Sequence, residues 1–336
     1  MSIFEQYLRD NHERFDRYLA TYFQVDASHP DVDRYLYGPL SRYSANGGKR
    51  HRPLICLLAC EAVGGNPELA LSSAAAIENF HTAALIHDDI ADEAQLRRGK
   101  PCLHITEGEG LAINAGDLAL SLVNGTVVND PLLDDHTKVR VVQELVAMTT
   151  RTVEGQALDI GWARDGRFDL GVNDYLEMAR HKTAYYSGGV PLAVGAIVGG
   201  GADREVEALR SFGMRTGLAF QIQDDLLNLV GDKDALGKDY RGDITEGKRT
   251  LMAVHALQNS ADAPELQGIL RAHTSDQALL DRAVAIMEAA GSLAYAHEFA
   301  VREVAEAKSD LTSQLADSEP RALLLSMADF FISRVS

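Results

Sequence analysis

The sequence predicts an all-α protein folded as one large helical bundle, and three observations carry that reading. Of 336 residues, 46% are apolar and only 7% aromatic, and the apolar share is mostly Ala, Leu, Val and Ile, which suits packed helices. Long segments repeat apolar residues at helical spacing, while strand signals are nearly absent. Nothing divides the chain: there is no Ser/Pro-rich run, no low-complexity segment and no repeat of roughly 20–50 residues, so positions 1–336 read as a single domain.

Taken in order, residues 3–23 predict an amphipathic helix with Phe4, Tyr7, Leu8, Phe15, Tyr18 and Leu19 on one side. Asp31 to Tyr43 predicts a short second helix. Gly47-Gly48 breaks the chain, Lys49, Arg50, His51 and Arg52 fill the break, and Pro53 suits the first turn of a helix running to Val63. Pro67 to Asp92 holds a buried helix, since Ala74 to Ile86 is apolar and contains no Gly or Pro. Gly108 to Asp130 and Leu132 to Ala163 come next. Val172 to Val198 follows, with Gly188-Gly189 expected to kink or interrupt it, and then Glu205 to Val230. Asp232 to Arg249 is a Gly- and Asp-rich loop able to move as a lid. Residues 251–334 read as further helices without a motif.

Chemistry gathers at two helix ends. Asp88, Asp89 and Asp92 close the buried helix; Asp88 and Asp92 are four apart, so they share a face about 6 Å apart along the axis. A helix C-terminus favours cations, so clustered anions there call for a positive ligand. Oxygen donors in this number suit Mg²⁺, which typically takes one or two carboxylates together with phosphate oxygens. Arg97 and Arg98 follow, and Arg forks suit phosphate. The other reading is an exposed acidic helix end paired with its own arginines. A second stretch, 136 positions on, repeats the spacing as Asp224, Asp225 and Asn228. Two such ends could face each other across one cavity and hold several Mg²⁺ ions around a diphosphate. Lys49 and Arg52, three apart beside a helix N-terminus, can both reach one anion; otherwise they belong to a basic surface loop.

This pair of motifs resembles the two aspartate-rich motifs of the trans-isoprenyl diphosphate synthases, the polyprenyl synthetases. Gly47-Gly48-Lys49-Arg50-His51-Arg52-Pro53, Gly116-Asp117, Gly155-Gln156-Ala157-Leu158-Asp159 and Lys182-Thr183 resemble further motifs of that family, in the family's order, over about residues 40–255. The resemblance implies the isoprenoid-synthase fold with helices around a central cavity, a homodimer, and condensation of isopentenyl diphosphate with an allylic diphosphate. It implies Mg²⁺ as cofactor, about three ions per site, with Asp88, Asp89, Asp92, Asp224, Asp225 and Asn228 as the metal set and Asp88, Asp92 and Asp224 central to catalysis. Asn228 stands where the commonest family form has Asp, and its amide oxygen still accepts. Isopentenyl diphosphate falls to Lys49, Arg52 and Arg98, with His81 at the same diphosphate, although His81 reads equally as a core histidine. The allylic diphosphate falls to Arg97, Lys182, Lys238 and Lys248, beside Thr183, with Gln221 near the reacting carbons. Gln156 and Asp159 line the cavity or form a polar stripe on a half-buried helix. No side-chain nucleophile is required.

Product length follows from the same comparison. In the family, bulky residues four and five positions before the first Asp block growth; here they are Ala84 and Ala83. Phe80 lies one turn deeper, about 5.4 Å, roughly the length of one isoprene unit. With Phe80 as the floor, the expected product has about twenty carbons, geranylgeranyl diphosphate. If Phe80 instead faces another helix, the floor lies on Leu118 to Asn124 or on a partner subunit, and a longer product is the alternative.

The net charge of −17 argues against nucleic acid and against an anionic membrane surface. No segment approaches about 20 uninterrupted apolar residues, so no membrane-spanning helix is expected. Met1 to Arg9 lacks the apolar region of a signal peptide, and Cys56, Cys60 and Cys102 read as reduced core thiols in a cytoplasmic protein. A class I terpene cyclase would share the first motif but has no use for a second diphosphate site, so Lys49, Arg52 and Arg98 favour transfer. A silent subunit of a heteromeric synthase would usually lose the aspartates.

Overall fold

The computed structural model describes residues 2–24, 29–231 and 240–333, which are almost wholly helical. In chain order the main helices are α1 (Ile3–Ala20), α2 (Gly38–Ser44), α3 (His51–Ala62), α4 (Leu71–Ala91) and α5 (Glu109–Val128). Then come α6 (Asp135–Arg164), α7 (Val172–Ala179), α8 (Val190–Val198) and α9 (Asp203–Val230). The chain closes with α10 (Leu251–Asn259), α11 (Ala263–Arg271), α12 (Gln277–Ala289), α13 (Ser292–Gln314) and α14 (Glu319–Ser333). Between α4 and α5 an antiparallel hairpin, β1 (Leu96–Arg97) with β2 (Lys100–Pro101), makes the one sheet among the described residues. The helices group into two compact units, one of Met1–Thr149, Val190–Leu209 and Leu315–Leu324, the other of Thr150–Gly189, Arg210–Gln314 and Leu325–Ser336.

In the first unit α4 is the central element. It is buried at every position from Leu71 to Ala83, as a helix without a polar face must be, and it packs chiefly along α5 and then α3. It stops where Glu93 enters the left-handed region, φ 51°, the conformation that commonly ends helices. α1 opens on a capping box: Ser2 Oγ accepts from the Glu5 N–H at 3.1 Å and the Glu5 carboxylate accepts from the Ser2 N–H at 2.6 Å. It buries Phe4, Leu8, Phe15 and Leu19. By length and composition alone α5 is long and apolar enough to cross a membrane, although it holds no uninterrupted apolar run of about 20 residues. Asn114, Asp117, Ser121 and Asn124 break its apolar runs, and it packs along α4 with Ala112, Ala115, Gly116, Ala119 and Val123 buried, while Ile113 and Val128 stay exposed.

In the second unit the α-helical run expected over 172–198 is interrupted, as the sequence suggests, but over ten residues that end at Gly188-Gly189. Residues Arg180–Gly189 wind on as a π-helix. A Cβ on Gly188 would overlap the Gly213 backbone of α9, so this glycine also permits close helix contact. The wide π winding, a geometry frequent at functional sites, carries Lys182 and Thr183. Of the expected lid, positions 232–239, and Lys238 with them, lie outside the described residues; Gly242–Thr245 forms one helical turn.

Candidate active site

In the first unit a cavity of about 730 Å³ is lined by Gly47, Gly48, Lys49, Arg52, His81 and Arg98, with Arg50, His51, Glu78 and Lys100. Its floor is a buried ion cluster. Arg50 caps α3 in the left-handed conformation, φ 49°. Its guanidinium donates to Asp16 at 2.8 Å, to the Ser44 carbonyl at 2.6 Å and to Glu78. A pinned Arg50 leaves Lys49 exposed on one side and Arg52 in the first helical turn on the other. Arg52 Nη1 donates to His81 Nε2 at 3.3 Å. Burial, and then the Arg52 charge, hold the His81 proton affinity well below the ordinary histidine range, so the ring is a neutral acceptor among cations. Arg98 sits at the hairpin tip. It and Gly99 occupy the left-handed region, φ 54° and 75°, as a two-residue primed turn requires. Its guanidinium donates to the Gly47 carbonyl. Gly48 has φ 128°, and a Cβ there would lie 2.8 Å from Arg98 Nη1, so a side chain at Gly48 would displace the arginine.

The three carboxylates at the end of α4 differ. Asp88 is half-buried and Asp92 exposed, whereas Asp89 is 1% exposed. Asp89 Oδ2 accepts from the Tyr43 hydroxyl at 2.6 Å, and Oδ1 accepts from Arg97 Nε at 2.8 Å and Nη2 at 2.6 Å. The reason is helix phase: successive residues are about 100° apart, so Asp92 returns near Asp88 while Asp89 turns into the protein. The Gly116-Asp117 pair makes room for a neighbouring side chain. The His87 ring fills the space a Gly116 Cβ would need, and Asp117 lies 3.7 Å from His87 Nε2.

The second unit repeats the pattern. Asp224 is half-buried and Asp225 is buried. Asp225 Oδ2 accepts from the Tyr175 hydroxyl at 2.8 Å, Oδ1 accepts from Gln221 Nε2 at 2.6 Å, and Gln221 Oε1 accepts from Thr183 at 2.6 Å. Burial, and then the Asp243 charge, push Asp225 well above the usual carboxylate range. Lys182 pairs with Asp159. Gly155, one turn before Asp159, lets α6 approach so closely that a Cβ would overlap the Lys182 backbone. Burial raises Asp159, but the Lys182 and Lys248 charges outweigh it and hold it below its ordinary value. Lys248 lies 2.5 Å from Glu246 and 3.7 Å from Asp243, and burial pushes Asp243 up to about 6. Asn228 turns its amide oxygen to the Asp243 N–H at 3.2 Å, which anchors the Gly242–Thr245 turn. Gln156 is half-buried on the same helix as Asp159.

Among the described residues no three His, Cys, Asp or Glu side chains converge into a metal cluster of their own. The donor set fits a hard cation that arrives with phosphate oxygens, since Mg²⁺ needs only one or two carboxylates under those conditions. Among the five aspartates of the two motifs, Asp88, Asp92 and Asp224 are the ones with access to solvent.

The polyprenyl synthetase model matches residues 33–287. The chain belongs to the polyprenyl synthetase family. The short chain isoprenyl diphosphate synthase of Methanothermobacter thermautotrophicus is 41% identical over 288 residues, 86% of this chain and 87% of that protein. The geranylfarnesyl diphosphate synthase of Natronomonas pharaonis is 37% identical over 311 residues, 88% of this chain and 89% of its own. Among solved structures, the geranylgeranyl pyrophosphate synthase of Corynebacterium glutamicum, complexed with isoprenyl diphosphate and magnesium, superposes with a TM-score of 0.86 at 29% identity, covering 99% of each chain. The all-helical isoprenoid-synthase fold and a prenyltransferase activity on isoprenoid diphosphates are thereby established for this polyprenyl synthetase.

Within each unit the structure brings expected site residues together: Lys49, Arg52, His81 and Arg98 around one cavity, and Lys182, Thr183, Gln221, Asp225 and Lys248 beside another lined also by Asp159 and Asp243. It buries Asp89 and Asp225, unlike Asp88, Asp92 and Asp224, while Asn228, half-buried like Asp88 and Asp224, gives its amide oxygen to the Asp243 N–H. The sequence reading assigns no role to Tyr43 or Tyr175, and none of their own to Arg50 and Asp243 within the stretches it singles out. Only Glu78, a carboxylate inside an apolar helix, was a legible signal, because a buried charge demands a partner.

Proposed function

We propose that this polyprenyl synthetase condenses isopentenyl diphosphate head-to-tail with an allylic diphosphate, in the cytoplasm and as a homodimer, and releases geranylgeranyl diphosphate (C20). The observation that carries the two-substrate reading is the cradle of Lys49, Arg52 and Arg98 around a neutral His81. Lys49 and Arg52 lie well before both aspartate motifs along the chain, and a cyclase would not need the second diphosphate site they form with Arg98. The C20 product rests on Ala83 and Ala84 above a buried Phe80, 2% exposed, and on the likeness to a geranylgeranyl synthase. The geranylfarnesyl relative favours a C25 product as the second reading. A homodimer is supported by α6, which exposes Val139, Val146, Val153 and Ile160 at 57, 49, 60 and 45%, one every seven residues, an apolar seam suited to a second copy.

Asp88, Asp92 and Asp224 would hold Mg²⁺, about three ions in all, and that metal would neutralise charge on the leaving diphosphate. In the second unit Lys182 and Lys248 would add positive charge beside the allylic diphosphate, stabilising charge that develops only as the bond breaks; the family resemblance assigns Arg97 and Lys238, the latter outside the described residues, to the same substrate. Lys49, Arg52 and Arg98 would hold the diphosphate of isopentenyl diphosphate, whose double bond attacks the allylic carbon, and the family resemblance assigns Gln221, held by Thr183, to the reacting end. A neutral His81 can accept from Arg52 and fix its fork without adding a proton to the site.

The test is a product assay with Mg²⁺, isopentenyl diphosphate, and dimethylallyl, geranyl or farnesyl diphosphate in turn. Geranylgeraniol after dephosphorylation is the expected product. A C25 or longer ladder would retain the transferase and remove the C20 product; a cyclic hydrocarbon from the allylic substrate alone would overturn the two-substrate reading.

A further inference from the structure

The two aspartate motifs share an arrangement of hydrogen-bond partners as well as a helical phase. In each, the second aspartate is buried, accepts a tyrosine hydroxyl on Oδ2, and accepts on Oδ1 from a side chain assigned to the substrate. The donors are Tyr43 and Arg97 for Asp89, and Tyr175 and Gln221 for Asp225. The tyrosines come from helices far away in sequence, 46 and 50 residues from their partners. We propose that Asp89 and Asp225 are positioning residues rather than metal ligands, Asp89 aiming Arg97 and Asp225 aiming Gln221, with the Tyr43 and Tyr175 hydroxyls fixing the two carboxylates.

Donor geometry supports this. A carboxylate accepting a two-pronged guanidinium and a hydroxyl has most of its lone-pair directions committed. A metal ligated there would have to strip those donors inside the protein, while Asp88, Asp92 and Asp224 offer oxygens nearer solvent. Pinning Arg97 through both Nε and Nη2 leaves its plane one orientation. Gln221, donating to Asp225 and accepting from Thr183, is likewise held in one amide orientation. The acidic partner also compensates the Arg97 charge next to a buried position, which an amide could not do.

The proposal rests on the reading that Asp88, Asp92 and Asp224 hold the metal, and the experiment separates the two. Mn²⁺ uptake in the presence of inorganic pyrophosphate is followed by loss of the free-ion EPR signal, against a protein-free blank. Steady-state KM values for the allylic and isopentenyl diphosphates are measured alongside. Tyr43→Phe and Tyr175→Phe, which remove one oxygen each, and Asp89→Asn should leave the Mn²⁺ dissociation constant within about threefold of the parent while raising the allylic KM about tenfold, with the isopentenyl KM unchanged. Asp88→Asn should weaken Mn²⁺ by more than about tenfold. Asp89→Asn weakening Mn²⁺ as much as Asp88→Asn would overturn the proposal, as would both Tyr→Phe variants keeping the parental allylic KM. Should Asp88→Asn leave Mn²⁺ binding untouched, the metal reading itself fails. If Asp89→Asn does not fold, the two Tyr→Phe variants decide alone.

Discussion

A neutral His81 ties the cradle to acid stability. An unfolded histidine titrates near 6.5, and burial with the Arg52 charge depresses the folded value well below that. Below about pH 6.5 the unfolded chain takes up a proton that the folded chain refuses. The contribution is therefore fully present above pH 6.5 and is lost as pH falls through the window below it. Urea unfolding at a series of pH values should show a decline of at most about 1.4 kcal/mol per pH unit from this ring, and His81→Gln should flatten that part of the acid limb. Parallel acid limbs in the two proteins would refute the assignment. Some of the site was legible at this scale: the Lys49–Arg52 spacing placed two cations at one cavity. Asp89 shares a motif with Asp88 and Asp92, yet a helical wheel separates it from Asp88 by about 100°, so its helical phase rather than its place in the motif points it into the protein.

Two elements set the second site, α6 and the π-helix Arg180–Gly189, and their approach depends on Gly155. Gly155→Ala would drive a methyl into the Lys182 backbone. Overpacking of this kind costs about 1–3 kcal/mol, so the urea midpoint should fall, and the allylic KM should rise as Lys182 leaves Asp159. An unchanged midpoint would show that the helices can separate freely. Helix existence was readable throughout from apolar periodicity, and most boundaries fall within three residues of the expectation. The hairpin was not, because two-residue strands carry no alternation to detect; its Arg98-Gly99 turn is visible only once both backbone angles are known. The π winding was equally hidden, since the glycines that permit close packing look in sequence like glycines that break a helix.

For the whole molecule the consequences are product length and assembly. Replacing Phe80 with Ala removes a side chain buried on α4 and should lengthen the product by about one or more isoprene units. The readout is chromatography of the dephosphorylated products, and the parental spectrum in the variant would place the floor elsewhere. The exposed valines of α6 predict a dimer: Val146→Lys with Val153→Lys should shift the protein toward monomer in sedimentation equilibrium, and a parental mass in the double variant would free that seam from the interface.

By itself the sequence determined the helical class, the spacing of carboxylates at the ends of α4 and α9, and the family, because periodicity and motif spacing are properties along the chain. Only the tertiary structure decided which donor meets which acceptor: Tyr43 with Asp89, Tyr175 with Asp225, Arg50 with Asp16 and Glu78, Asn228 with the Asp243 N–H. Those pairings join residues 15 to 50 positions apart. They are selected by how helices pack and by the cost of leaving a buried charge or hydroxyl without a partner, and local sequence encodes neither.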